Sequence, residues 1–272
     1  MAPPGSERRS LVVVKLGGSL LTRKREVEKL RPKVLHRLAV ELTEARATPL
    51  IVLHGAGSFG HPGAVRFGLA QPPDRSHPPT ERGRGAAIVA SEVRRLHLAV
   101  LRELVRAGLT PWSIPLASIA TNRAGELSGF DVVPFERALE RGVLPVAFGD
   151  VVPDDRWGFS ILSADTAAVE LARRLRAARV VFATDVSGVL DPAGSNRRAI
   201  APEVTEELAA RLRPRLSAPD VTGGIRGKIA AMLAIARAGA DAALISGLTD
   251  GAVSRAIRGE AVYGSWAHAR AP

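Results

Sequence analysis

Apolar positions along this chain fall into short continuous runs, separated by longer stretches in which apolar residues recur at helical spacing. The runs lie at 11–16, 50–54, 110–115, 143–148, 179–184 and 241–246, are rich in β-branched residues, and are bounded by Gly, Pro or Asp. Runs of that length and punctuation predict strands buried on both faces. The stretches between them predict helices at about 32–47, 81–107, 134–141, 164–177, 205–212 and 225–238. Strand and helix alternate almost strictly, so the expected fold is α/β: a three-layer αβα sandwich with a mainly parallel central sheet.

Two segments break the alternation. Residues 62–80, rich in Pro and Gly, predict a mobile loop over the sheet edge, and residues 185–202 predict an extended loop. Neither reads as a linker between independent domains. The expectation is one unit of residues 11–272 behind a ten-residue tail, with a lobe boundary near Ala178.

Composition narrows the function classes. A chain of 272 residues, 46% hydrophobic, can bury a substantial core. It contains no cysteine, which excludes disulfides and thiolate metal sites. Neither a signal-peptide core nor an uninterrupted membrane-length apolar run is evident, so no membrane association and a cytoplasmic location are expected. The net charge of +11 invites a nucleic-acid reading. Arginine, however, outnumbers lysine 33 to 5 and is spread over predicted helix faces, and aromatic residues are only 4%. That pattern fits solvated helix faces better than a nucleic-acid surface.

The scarce lysines are where chemistry first shows. Lys15 ends the first run, directly before Gly17, Gly18 and Ser19; Lys24 follows in the same segment; Lys228 closes the cluster DVTGGIRGK, which also holds Gly223. Lys15 precedes its glycines, which excludes the G-x-x-x-x-G-K-[ST] phosphate loop. Further glycine turns follow the second run (HGAGSFGH, 54–61) and the fourth (Gly149-Asp150). Parallel strands deliver ligands to their carboxyl ends, where glycine allows close approach and turn N–H groups can cradle an anion. One such turn is ordinary loop chemistry; four, two of them with a lysine attached, point to a polyphosphate.

In this order, KLGGS, HGAGSFGH, LPVAFGD, SADT, ATDVSGVLD and DVTGGIRGK resemble the amino acid kinase superfamily, and within it the isopentenyl phosphate kinases, over about residues 12–246. The local feature pointing to that branch is His61, since a histidine closing G-x-G-S-F-G-H resembles the members whose acceptor is a phosphate. Ala56 stands where the superfamily turn commonly has glycine, and Ala164 stands in SADT where SGD is usual. The resemblance implies an ATP-dependent phosphotransferase acting on isopentenyl phosphate with Mg²⁺. Lys15 and Lys228 would serve the ATP phosphates, Lys24 the transferring or acceptor phosphate, and Gly17, Gly18, Ser19, Gly57 and Gly223 would supply backbone or hydroxyl contacts. Thr184, Asp185 and Gly188 would lie by the nucleotide, and His61, Ala56 and Gly149 by the acceptor. Asp165 either orients the lysines or is an ordinary acidic residue in a helix's first turn, and His54 either serves the site or pairs only with backbone. The acceptor lobe would span about 11–177 and the nucleotide lobe about 178–272. A homodimer is expected of an open parallel sheet of this kind. The nearest alternative is a fosfomycin kinase; outside the enzymes it is a nucleotide-binding or storage protein on the same scaffold.

Overall fold

The computed structural model describes residues 11–23, 26–74, 76–191, 199–212 and 224–269. In chain order its elements are β1 (Val12–Leu16), α1 (Gly18–Leu21), α2 (Pro32–Glu44), β2 (Leu50–His54), α3 (Gly57–Arg66), α4 (Pro79–Arg106) and β3 (Pro111–Ser113). Then come β4 (Ala120–Arg123), β5 (Glu126–Phe130), α5 (Val133–Glu140), β6 (Leu144–Phe148), β7 (Asp150–Asp154), β8 (Gly158–Leu162) and α6 (Ala164–Leu175). The remainder is β9 (Arg179–Thr184), α7 (Glu206–Arg211), α8 (Gly224–Arg237), β10 (Asp241–Ser246), α9 (Ala252–Arg258) and β11 (Gly264–Ala267).

All six predicted strands are present and, joined by the unpredicted β11, form a seven-stranded sheet in the order β11-β10-β9-β1-β2-β6-β3. The pairings from β10 to β3 are parallel, and β11 alone is antiparallel, at the edge. Alternation of side chains divides these buried strands between two cores. Val13, Ile51, Leu53, Val180, Phe182 and Leu244 face α5, α6 and α8, whereas Val12, Val14, Val52, Val181 and Ile245 face α2, α4 and α9. Parity therefore sends Lys15, two positions after Val13, to the α6/α8 face, and sends His54, two after Val52, to the α4 face.

A second sheet, β5-β4-β7-β8, is built from two hairpins. Its strands are only four or five residues long, two of them contain glycine, and β7 follows β6 after Gly149 alone, which is why the apolar pattern did not predict it. One carboxylate organises it: Asp154 accepts from the N–H groups of Ala124, Gly125, Arg156 and Trp157 and from the Ser160 hydroxyl. Those donors outweigh the cost of burial and hold its pKa down at about 2.

The loop expected over residues 62–80 is corrected: α3 runs through Pro62 to Arg66, and α4 begins at Pro79. Pro62 cannot donate to the Ser58 carbonyl four residues back, and that carbonyl instead accepts from Glu28 N–H at 3.3 Å. Gly60 and Gly63 let α3 lie directly on Val93 and Val89 of α4. Tertiary contact thus supports a helix that local propensity opposes.

The turns after β1 and β2 interlock. A methyl group on Gly18 would collide with Gly57 N, and one on Gly55 would lie 2.7 Å from Gly18 N. Gly57 itself has φ +51°. Thr22 fastens the pair, its hydroxyl donating to the Gly18 carbonyl at 2.8 Å and accepting from Ser58 N–H at 2.9 Å. Gly55→Ala should therefore destabilise the fold by about 1–3 kcal/mol, because backbone cannot give way as a side chain can. Gly83→Ala, in α4 with open space around it, should be neutral or stabilising by up to about 1 kcal/mol. Urea denaturation of the two variants checks the contrast.

Candidate active site

Lys15, sent to the α6/α8 face by strand parity, meets Asp165 in the first turn of α6, with Nζ 2.8 Å from Oδ1. Packing of α8 on α6 brings Lys228 to the other carboxylate oxygen, Nζ to Oδ2 at 3.0 Å. One buried carboxylate therefore bridges two ammonium groups drawn from opposite ends of the chain. Burial lowers the Lys15 pKa, and Lys228 adds to that, while Asp165 opposes it. Burial alone would raise Asp165, but the two lysines outweigh it and hold the carboxyl below the ordinary carboxylate range.

The Ser19 hydroxyl donates to Asp185 Oδ1 at 2.6 Å, tying the first glycine turn to the segment after β9. Gly17 N–H donates to the Ala183 carbonyl at 2.8 Å in the same junction. Thr184 spends its hydroxyl on Val186, accepting from the N–H and donating to the carbonyl. Ala56 stands just before α3 with φ −71° and ψ −25°, ordinary right-handed backbone that accommodates its methyl. His61 is half-buried on α3, four residues beyond Gly57. Gly149 N–H donates to the His54 carbonyl at 2.9 Å, and its α-carbon packs by the start of α6.

The structure thus brings Lys15, Asp165 and Lys228 into direct contact, and gathers Gly17, Gly18, Ser19, Ala56, Gly57, Gly149, Thr184 and Asp185 at the carboxyl ends of β1, β2, β6 and β9. Gly188 is packed instead against Ser265 and Ile200, where any side chain would clash. Lys24 and Gly223 lie outside the described residues.

Sequence reasoning missed three participants. Gly55 was passed over although it lies inside the quoted turn. Thr22 gives no signal beyond a polar residue after an apolar stretch. His97, in the middle of α4, is the third. His54 Nε2 lies 3.0 Å from His97 Nδ1, and His97 Nε2 lies 2.8 Å from Ser113 Oγ. Both rings are buried and packed against Phe148. Burial lowers the His54 pKa to about 4 and that of His97 to about 3, with Lys15 adding to the first effect and His54 and Arg94 to the second. Arg94 lies over the Phe148 ring and pairs with Asp150 at 3.2 Å.

Comparison with known proteins agrees with this geometry. The amino acid kinase family model matches residues 10–246. The isopentenyl phosphate kinase of Methanothermobacter thermautotrophicus is 32% identical over 94% of this chain and 98% of its own. That of Haloferax volcanii is 35% identical over 83% of this chain and 88% of its own. A solved isopentenyl phosphate kinase structure superposes with a TM-score of 0.82 at 30% identity, covering 94% of this chain and 99% of that one.

The two buried histidines make stability depend on pH. Between their ordinary value of 6.5 and about 4, unfolded imidazoles take up protons that the folded ones refuse. The unfolded state binds more protons there, so the stabilisation is complete above pH 6.5 and is lost as pH falls through that window. The urea midpoint should drop between pH 7 and 5, and replacing both histidines by phenylalanine should flatten the slope. A wild-type midpoint constant over this range would show that these rings are not held neutral.

Proposed function

The chain belongs to the amino acid kinase family, and on that footing we propose that it transfers the γ-phosphoryl group of ATP to the phosphate of isopentenyl phosphate, giving isopentenyl diphosphate and ADP. The observation that carries phosphoryl transfer is the Lys15–Asp165–Lys228 bridge beside two interlocked glycine turns. The acceptor is supported by likeness along nearly the whole chain to relatives named isopentenyl phosphate kinase, and by His61 in the turn that resembles theirs.

An acceptor oxygen attacks the γ-phosphorus as the bond to the β–γ bridging oxygen breaks. That oxygen belongs to a phosphate, largely ionised near neutral pH because its second pKa is about 6. No general base is needed; the demand is to bring two polyanions together while charge spreads over the transferring group. Lys15 and Lys228 meet that demand. Each ammonium uses one N–H on Asp165 and keeps two for phosphate oxygens. Amides of Gly18 and Gly57 complete the nucleotide phosphate contacts, while Gly17 and Ser19 hold that turn in place through the Ala183 carbonyl and Asp185; Lys24 and Gly223 keep the roles that the resemblance implies. His61 and the Ala56 amide hold the acceptor phosphate, and Gly149, whose N–H is spent on the His54 carbonyl, leaves room for its close approach. Mg²⁺ enters with the nucleotide as its phosphate-bound counterion.

The nucleotide lobe is 178–272, with Thr184, Asp185 and Gly188 shaping the segment after β9; the acceptor lobe is 11–177. For the five-carbon tail we assign α4 as one wall of the groove. Among the described residues no helix is long and apolar enough to cross a membrane. Cytosol, where ATP is supplied, is the compartment we assign. A homodimer is the assembly, supported by exposed Leu98, Val105 and Trp112 at and beside the β3 edge.

The reading is tested with Mg-ATP and a panel of isopentenyl phosphate, dimethylallyl phosphate, fosfomycin, acetylglutamate and uridylate. Isopentenyl phosphate should give the highest kcat/KM; preference for fosfomycin or for a non-phosphate acceptor would replace the proposed substrate. Lys15→Met, with folding verified by circular dichroism, should lower kcat about 100-fold or more, since it removes a donor acting on charge built in the transition state.

His61 separates acceptor from nucleotide. His61→Ala should lower kcat/KM for the acceptor by about 2 kcal/mol, with ATP binding intact, and His61→Gln should retain more because its amide N–H can replace an imidazole N–H. Loss of ATP binding in His61→Ala would reassign the residue to the turn's structure.

A further inference from the structure

His54 and His97, both buried, and Ser113, exposed on the edge strand, form a hydrogen-bonded chain that the phosphoryl-transfer chemistry above does not use. It begins beside the acceptor turn and ends on the sheet edge: His54 closes β2, His97 lies on α4, and Ser113 lies on β3. The bonding pattern assigns its direction. A carbonyl oxygen only accepts, so His54 Nδ1, 3.2 Å from the Gly55 carbonyl, carries the proton and donates it. A neutral ring then leaves Nε2 as an acceptor, which requires His97 to donate from Nδ1 across the 3.0 Å contact. His97 Nε2 is left to accept from the Ser113 hydroxyl at 2.8 Å. Each tautomer is thereby set by its neighbour on the Gly55 side, and the Ser113 hydroxyl, which can donate or accept, completes the pattern. Contact with Phe148, stacked for His54 and tilted for His97, restricts rotation of both rings.

What this chain holds is a single peptide group. The Gly55 carbonyl and the Ala56 N–H belong to one planar trans peptide and point in opposite directions. Fixing the carbonyl on the His54 ring turns the Ala56 amide away from that ring. Gly55 N–H is already committed to the Leu16 carbonyl at 2.9 Å, so the peptide before it is anchored on β1. With Gly18 in contact beneath Gly55, the peptide that could still rotate is the one that the imidazole restrains.

We propose that His54 is a positioning residue for the acceptor phosphate: its ring, supported by His97 and through it by Ser113, holds the Gly55 carbonyl so that the Ala56 amide stays aimed at the acceptor. This rests on the acceptor site assigned above. The role needs a neutral ring with its proton on Nδ1, a more specific demand than filling the space.

The test combines a spectroscopic and a kinetic reading on the full chain. Histidine-labelled, ligand-free protein at pH 7 should give ¹⁵N shifts of neutral rings protonated on Nδ1 for both His54 and His97. His54→Phe, which keeps the ring's bulk without its donor, should lose about tenfold or more in kcat/KM for isopentenyl phosphate, while KM for Mg-ATP stays within about twofold of wild type. His54→Asn, whose amide N–H takes the place of Nδ1–H, should recover most of that loss. A proton on His54 Nε2 overturns the proposal, as does equal loss for ATP and acceptor in His54→Phe, or a folded His54→Asn no better than the phenylalanine variant. Should wild type prefer another acceptor of the panel, the substrate assignment falls, and the same acceptor-specific split, measured with that acceptor, is still required of His54.

Discussion

Everything at the carboxyl edge of the main sheet depends on Asp165 and the two ammonium groups it bridges. A buried and a partly buried cation repel each other and resist leaving water, so neither Lys15 nor Lys228 is expected in this place without a counter-charge. A single carboxylate within 3.0 Å of both makes the arrangement tenable and leaves the cluster one positive charge in excess. Removing one partner of such a buried group typically costs about 3–5 kcal/mol. The bridge also determines packing: it forms only if α6 begins at the end of β1 and α8 lies along α6. Site and core are the same construction on this face, with Ala167, Leu171, Ile229 and Met232 supplying the apolar contact beneath the charges.

The opposite face of the sheet is organised by neutrality. His54 and His97 are buried beside Phe148, and burial disfavours their charged forms. Lys15 and His54 lie near each other at the ends of paired strands, in positions of opposite parity, with Leu16 aligned to His54. Pleating sends one to a charged cluster and the other to an uncharged hydrogen-bonded chain. The glycine turns run between them and present backbone amides where side chains would obstruct an incoming phosphate. Anion recognition here thus combines a fixed cationic face, a fixed neutral face and main chain between.

Local rules are broken where that main chain must approach closely. The helix α3 contains a proline and several glycines, and its first residue has a left-handed φ. Each departure has a tertiary counterpart: Glu28 N–H replaces the donor that Pro62 lacks, Val89 and Val93 fill the surface opened by Gly63 and Gly60, and Thr22 takes up Ser58 N–H. Departures of this kind gather where function constrains the backbone.

What the sequence determined by itself is the part governed by short periods. Six strands, five of them buried and β3 exposed at the sheet edge, the helices between them, the glycine turns and the motif order that resembles the amino acid kinases all follow from residues within a few positions of one another. The face chosen by Lys15 was implicit in its spacing from Val13. Only the tertiary structure decided which partners meet across that frame. Asp165 could equally have been an ordinary acidic residue in a first helical turn until α8 delivered Lys228 to it. His54 could have paired with backbone alone until α4 placed His97 beside it, and Gly188 became a packing glycine because Ser265 of the antiparallel edge strand lies against it. The second sheet and α3 belong to the same class, since their stability comes from contacts between segments distant in the chain and leaves no periodic trace in the segments themselves.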